Sequence, residues 1–349
     1  MNSELLIKQK SYLAAKLHNK TFIVSGATGL IGSAIVRYLI SLNNDFDASI
    51  KIIPLYRNQE KFNNVYAAIT SRDDLIPEFF SASQTISFDH QADYIIHCAG
   101  ISGGSKMHLK DPVKIFDTGI FGTQQLLEYA ATHDCKGFVY ASTYEVYGEI
   151  NEDNLIGEEH PCSLNPLSLR NSYAEVKRLC ESMLVAYSAK FGFNVYSGRL
   201  TSTFGAGVSY DDPRFFAEFT RCVVEGRNIV MKSTGGTVRN YLDVDDAASA
   251  FLYILVNGDN GNAYNLTNRD NAFSIKDIAK KLIDIDGNKV KLVIDIIDDR
   301  TSMGYRKEGV TLMDPTKLEG LGWTPVYSFD RTLIKLLESF RVQYSSMFN

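Results

Sequence analysis

Tyr173 and Lys177 stand four residues apart in Tyr173-Ala-Glu-Val-Lys177, which puts both on one face of a helix. A lysine ammonium beside a phenol favours the phenolate, drawing a tyrosine from its usual pKa of about 10 toward neutrality. Such a phenol can take a proton from an alcohol and return it to a ketone. The spacing alone would also suit a solvated helix face. What sets it apart is its company upstream: a glycine-rich turn, Gly26-Ala-Thr-Gly29-Leu-Ile-Gly32, and a hydroxyl pair, Ser142 and Thr143. A dinucleotide at the turn would accept or return the hydride that the exchange of alcohol and ketone requires.

These residues need a frame. Short apolar runs at 21–24, 50–53, 94–96, 137–140 and 194–196 read as strands, and they lack the polar alternation of a half-exposed sheet. Amphipathic helical stretches intervene at 30–42, 113–132 and 172–190. This alternation predicts an α/β fold with a doubly wound, Rossmann-type parallel sheet. Beyond Gly205 the pattern loosens. A helix is expected over 213–226, and 241–257 reads as a helix opened by Asp243, Asp245 and Asp246, since acids suit a helix N-terminus. Strands near 263–267 and 289–296 and helices near 274–285 and 330–340 follow. The expected organisation is an N-terminal helix at 1–20 and a cofactor domain of 21–205 with 241–262. A smaller, partly interleaved substrate domain takes 206–240 and 263–349.

Composition narrows the function. The chain has 349 residues, 45% hydrophobic and 22% charged, with a net charge of −5, so nucleic acid and anionic membranes are not expected partners. Cys98, Cys135, Cys162, Cys180 and Cys222 are scattered and read as core thiols of a reducing compartment. The six histidines show no ligand spacing, and no metal site is expected. No apolar run reaches the roughly 20 residues of a membrane span, and the first 20 residues read as an amphipathic helix, not a signal peptide. A soluble, cytoplasmic protein is expected.

Gly26, Gly29 and Gly32 lie between a strand and a helix, where glycine lets the backbone approach a pyrophosphate at the helix N-terminus. The second strand ends in Leu55-Tyr56-Arg57-Asn58. An acid there would serve the ribose hydroxyls of NAD, whereas an arginine suits the 2′-phosphate of NADP. Arg57 thus tips the expected NAD(P) cofactor slightly toward NADP, unless it is a solvated surface arginine. Asp89 is expected on the adenine side.

The ordered set of motifs resembles the extended short-chain dehydrogenase/reductase family, in its nucleotide-sugar epimerase/dehydratase branch. The set comprises the glycine turn, His97-Cys-Ala-Gly100, Ala141-Ser-Thr-Tyr-Glu-Val-Tyr-Gly148, Tyr173 with Lys177, Arg199-Leu-Thr-Ser-Thr-Phe-Gly205, Gly236-Thr-Val-Arg-Asn-Tyr-Leu-Asp243, Tyr264-Asn-Leu266 and Leu321-Gly-Trp-Thr-Pro325. The resemblance implies a nucleotide-diphosphate sugar as substrate. It assigns Gly26, Thr28, Gly29, Leu30, Ile31, Gly32, Ala99 and Gly100 to the cofactor. Tyr173 becomes the acid/base, and Lys177 its activator and a holder of the nicotinamide ribose. Thr143 becomes the hydroxyl bound to the sugar's C4 oxygen, with Ser142 beside it. Arg239 becomes the grip on the diphosphate, with Arg300 as a second contact; a surface ion pair is the plain alternative for Arg239. The family also implies a homodimer formed through helices such as the one carrying Tyr173.

Glu145 bears on the outcome. Ser-Thr-x-Glu-Val-Tyr-Gly resembles the sugar 4,6-dehydratases and the UDP-glucuronate decarboxylases, where a glutamate assists the step after oxidation at C4. The alternative for Glu145 is a solvated loop acid. The dehydratases of dTDP-glucose place Asp where this chain has Tyr144, and the segment Asn165-Pro-Leu-Ser-Leu-Arg-Asn-Ser-Tyr173 looks closest to the decarboxylases. The chain also departs from the family: Gly119 stands in for an asparagine, Ser202 for a substrate-contacting asparagine, and Ala206 for a proline. The leading expectation is decarboxylation or dehydration through a 4-keto sugar. A 4-epimerase or 4-keto-sugar reductase is the runner-up, and a non-catalytic NAD(P)-binding protein the remote alternative.

Overall fold

The structure, a computed structural model, describes residues 2–67, 69, 71–100, 111–148, 150, 155–296 and 308–347. All five apolar runs form strands: β1 (Thr21–Ser25), β2 (Lys51–Tyr56), β4 (Tyr94–His97), β5 (Gly137–Thr143) and β6 (Asn194–Leu200). With β3 (Glu78–Phe79) and β10 (Asn262–Leu266) they make a seven-stranded sheet in the order β10-β6-β5-β4-β1-β2-β3. Every pairing in it is parallel. Ile23 of β1 sits between Ile53 and Ile95 of its two neighbours.

Side-chain alternation divides β1 between two cores. Phe22 and Val24 join Leu39, Phe251 and Trp323 in one layer, whereas Ile23 joins Leu126, Phe138 and Val176 in the other. The helices Ser3–Leu17, Leu30–Phe46 and Val244–Asn257 cover the first face, and Gly122–Thr132 and Ser172–Phe191 the second. Burial on both faces is why these strands read as unbroken apolar runs. The first helix is also tied to the far end of the chain, with Gln9 Nε2 donating to the Thr324 carbonyl at 2.6 Å.

A second assembly lies beyond β6. Strand β9 (Val238–Asp243) pairs with β7 (Ser202–Phe204) and β13 (Val310–Thr311) in parallel and with β11 (Ala272–Ser274) antiparallel. Strand β8 (Ile229–Met231) pairs with β12 (Leu292–Ile294). The helices Phe215–Val224, Ile275–Ile285 and Phe329–Ser346 bury Phe216, Leu282 and Leu333 with Phe204 in a separate core.

Four expectations are corrected. The segment 241–257 is not wholly helical: β9 runs through Asp243, and the helix is Val244–Asn257. Asp243 caps it, accepting from the Asp245 amide at 2.9 Å, so the acid cluster marked the helix start but β9's pairing extended the strand into it. The strand near 289–296 shrinks to Leu292–Ile294. The helix expected over 113–132 is interrupted: Pro112–Phe116 passes through a π turn, Asp117–Phe121, before Gly122–Thr132. A side chain at Gly119, within that turn, would meet Val176 Cγ1 at 2.4 Å. The boundary expected between 262 and 263 falls inside β10, which completes the central sheet. Among the described residues no helix is long and apolar enough to cross a membrane.

Candidate active site

Strand β1 is flanked by β2 and β4, so the winding of the sheet reverses there, and such a switch point opens a crevice at the strands' carboxyl ends. A cleft of about 1160 Å³ lies there, lined by the glycine turn and by residues at the ends of β2, β5, β7 and β9. Gly26 has φ +66°, and a Cβ on it would stand 2.7 Å from the Ala99 amide nitrogen. A Cβ on Gly32 would stand 2.3 Å from the Gly26 carbonyl oxygen. Gly29 caps the helix Leu30–Phe46 without a side-chain hydrogen bond, so the helix's first N–H groups are available to an anion. This cradle, closed to any side chain, fits a dinucleotide pyrophosphate.

A buried polar relay fixes the neighbouring loop. Thr123 Oγ1 donates to the Gly119 carbonyl at 2.6 Å, so His97 Nε2, 3.0 Å away, donates to Thr123. His97 Nδ1 then accepts from Ser25 Oγ at 2.6 Å, and Ser25 Oγ accepts from the Ala99 amide at 3.2 Å. Burial, with Lys177 nearby, pushes His97 down to about 3, so it stays neutral in the fold. The relay locks β1 and β4 to the turn that presents Ala99 and Gly100.

The cofactor residues Gly26, Thr28, Gly29, Leu30, Ile31, Gly32, Arg57, Ala99 and Gly100 all line the cleft. Asp89 does not. Its exposed carboxylate pairs with His133 at 3.0 Å, because the chain after β3 carries it away from the crevice. Lys61, one helical turn into Gln59–Tyr66, lines the cleft as Arg57 does and was not singled out from sequence.

Thr143 ends β5 and its hydroxyl accepts from the Glu145 amide at 3.3 Å, starting the 3₁₀ turn Tyr144–Tyr147. Tyr173 enters from the first turn of Ser172–Phe191, and Thr143, Glu145 and Tyr173 converge on the cleft. The phenol of Tyr173 is pushed up, first by burial and then by the charge of Glu145, while a hydrogen bond from Thr143 pulls it down. That direction is opposite to the lowering expected from Lys177. Burial sets the direction, and Lys177 does not offset it: its Nζ donates to the Ala141 carbonyl at 2.7 Å and lies 4.4 Å from the Tyr140 ring centre, against 5.7 Å for Tyr173. Burial lowers the lysine's own pKa.

The other substrate residues are arranged as follows. Ser142 lines the cleft, but its hydroxyl donates to Glu181 Oε1 at 2.5 Å, and Glu181 is gripped by Arg199 at 2.7 and 3.1 Å. Ser202 lines the cleft from β7. Arg239 lines it from β9, donating to the Tyr144 hydroxyl with its guanidinium 5.1 Å over that ring. Arg300 lies outside the described residues. Sequence reasoning passed over Arg170, whose Nη1 donates to Glu145 Oε2 at 3.0 Å, and Arg214, which is paired with Asp212 at 2.6 Å. Both line the cleft; neither belongs to a periodic motif, and only tertiary contact reveals them.

A parallel nucleotide-binding sheet with a Tyr–Lys pair beside its crevice defines a dinucleotide-binding protein of the short-chain dehydrogenase/reductase type. The chain belongs to the NAD-dependent epimerase/dehydratase family, whose model matches residues 22–267. It is similar to the trifunctional UDP-glucose 4,6-dehydratase/UDP-4-keto-6-deoxy-D-glucose 3,5-epimerase/UDP-4-keto-L-rhamnose-reductase of Arabidopsis thaliana, at 26% identity over 91% of this chain and 46% of that protein. The chain thus spans about half the length of that relative. UDP-glucuronic acid decarboxylase 5 of the same plant is 26% identical, over 93% of this chain and 90% of its own. The fold matches UDP-glucuronic acid 4-epimerase from Bacillus cereus with a TM-score of 0.78 at 20% identity, over 93% of this chain and all of that one.

Proposed function

We propose that the protein modifies a nucleotide-diphosphate sugar, oxidising it at C4 and then decarboxylating or dehydrating it through the 4-keto sugar. The observation that carries this reading is the convergence of Thr143, Glu145 and Tyr173 on one cleft with the glycine cradle. A bound dinucleotide supplies the acceptor for the C4 hydride. Thr143 holds the C4 hydroxyl, and Tyr173, neutral while the site is empty, would be ionised by the positive charge an oxidised nicotinamide brings to the cleft and would then take the hydroxyl's proton. That leaves a ketone that acidifies the C5 proton or labilises a carboxylate on C5. Glu145, held by Arg170, takes the C5 proton when water is to be lost; when carbon dioxide leaves, Tyr173, which holds the proton taken from C4, steadies the enolate oxygen instead. The hydride then returns, to C6 after loss of water or to C4 after loss of carbon dioxide, so that neither outcome consumes the cofactor. Similarity to a glucuronate decarboxylase and to a protein with dehydratase activity supports both outcomes.

Arg57 and Lys61 place two cations at the end of β2, and they support a preference for NADP over NAD. The exposed apolar side chains of Leu179 and Val185 on the helix Ser172–Phe191 support a homodimer joined there. The central sheet forms the cofactor half, and the assembly around β9 the sugar half. Five free cysteines fit a reducing cytoplasm.

Mass spectrometry of products from UDP-, dTDP-, GDP- and CDP-sugars tests the reading. Loss of carbon dioxide or of water supports it. A gain of two hydrogens identifies a reductase, and unchanged mass with altered stereochemistry an epimerase.

A further inference from the structure

Arg239 and Tyr241 are two residues apart on β9, so they share a face, and both line the cleft. Tyr241 is 1% exposed. Its ring is boxed by Phe204, Phe215 and Phe329, with centres 5.8, 6.3 and 5.5 Å away. Phenylalanine would fill that box equally well. Yet the residue carries a hydroxyl, and among the described residues that buried hydroxyl has no hydrogen-bond partner. Nor, among them, does the buried Nε of Arg239.

A buried hydroxyl without a partner costs stability, so a native one calls for an explanation. Here two unmet donors stand together beside a guanidinium charge, and Arg239 is the foremost charge acting on the Tyr241 phenol. Donors beside a positive charge suit an anionic oxygen. Tyr144, whose hydroxyl accepts from Arg239, holds the place of such an oxygen.

We propose that Tyr241 is a substrate-binding residue whose phenol donates, together with the Arg239 guanidinium, to one phosphate of the substrate's diphosphate. The proposal rests on reading the cleft as a nucleotide-sugar site, and it adds a donor on β9 that the motifs did not assign. Tyr144 then hands over the arginine when the phosphate arrives. Its phenol becomes free to face the sugar.

The test is Tyr241→Phe in protein saturated with NAD+, studied by thermal denaturation and by calorimetric titration with UDP, dTDP, GDP and CDP. The melting temperature should hold or rise, since an unpaired buried hydroxyl is removed. Affinity for whichever diphosphate the wild type binds should fall about 10- to 100-fold, as for a lost hydrogen bond to a charged group. Arg239→Gln should weaken binding too, and the double variant should lose little more than Arg239→Gln alone. Unchanged affinity in Tyr241→Phe, a lowered melting temperature, or additive losses would overturn the proposal while leaving the nucleotide-sugar reading intact. A wild type that binds none of the four diphosphates would overturn both. Binding that behaves as expected without turnover on any sugar would leave this assignment standing and remove the proposed reaction.

Discussion

Arg170 and Glu145 meet at 3.0 Å and so join the 3₁₀ turn after β5 to the 3₁₀ turn Leu169–Asn171 that launches the helix carrying Tyr173. An ion-paired carboxylate can take a proton but has none to give, which casts Glu145 as a base next to Tyr173. Hydride and proton transfer at C4 use Thr143 and Tyr173 and have no need of a second carboxylate. Glu145→Gln should therefore still reduce bound NAD(P)+ when the true substrate is added. The absorbance of reduced nicotinamide should rise and persist, with little product released. Normal turnover in this variant would make Glu145 a bystander.

Tyr173→Phe removes the phenol that exchanges the C4 hydroxyl proton. The rate should fall by about 10²–10⁴-fold, the usual worth of a positioned acid/base. Cofactor binding, followed by fluorescence titration, should persist because the glycine cradle is untouched. Turnover near that of the wild type would remove Tyr173 from the chemistry.

Arg57 lines the cleft at the end of β2 with Lys61 close by in sequence. Arg57→Ala should weaken NADP(H) binding by about 10- to 100-fold, the value of a charge-assisted hydrogen bond, and leave NAD(H) nearly unaffected. Calorimetry with each cofactor distinguishes the two. Equal losses for both would mean that no 2′-phosphate sits at Arg57.

His97 gives the fold a pH dependence. Burial holds it at about 3 in the folded protein, whereas its ordinary value is 6.5. Between those values the unfolded chain binds a proton that the folded chain refuses. The contribution to stability is therefore complete above pH 6.5 and lost as pH falls, at about 1.4 kcal/mol per pH unit. Denaturant unfolding across pH 7 to about 4 should show that slope, added to whatever the carboxylates contribute. His97→Gln should be less stable at pH 7 and should show a flatter dependence than the wild type. An identical slope in the variant would place the titration elsewhere.

The central sheet was legible because parallel strands buried on both faces leave unbroken apolar runs, as at 21–24 and 94–96. The glycine turn was legible for a related reason: the Cβ clearances at Gly26 and Gly32 admit no other residue. Short strands of the second assembly were not. Val310–Thr311 and Ser202–Phe204 gain their identity from pairing with β9, a partner distant in sequence, and carry no period of their own. At the site, Tyr173 came from its spacing with Lys177, Thr143 and Glu145 came from the family resemblance, and the three side chains line one cleft. Asp89 misled because a strand end fixes where a loop begins but not where it travels. The raised pKa of Tyr173 was beyond reach, since it depends on the phenol's burial and on Glu145 beside it, with Lys177 turned to the Ala141 carbonyl.

The bond from Gln9 to the carbonyl of Thr324 closes a loop of 315 residues. Leu13 and Leu17 of that first helix pack in the same layer as Trp323, with Trp323 Nε1 hydrogen-bonded to Ser249 Oγ at 2.9 Å. During synthesis the helix Ser3–Leu17 meets its first partner, Leu30–Phe46, at once, but waits long for Val244–Asn257 and Thr324. Contacts of such long range are slow to form, and apolar surface awaiting them is exposed to association in the meantime. A nascent chain halted before Trp323 should hold its paired strands yet bind chaperones through the helix Ser3–Leu17. The contact of Gln9 with Thr324 is therefore expected among the late ones to form.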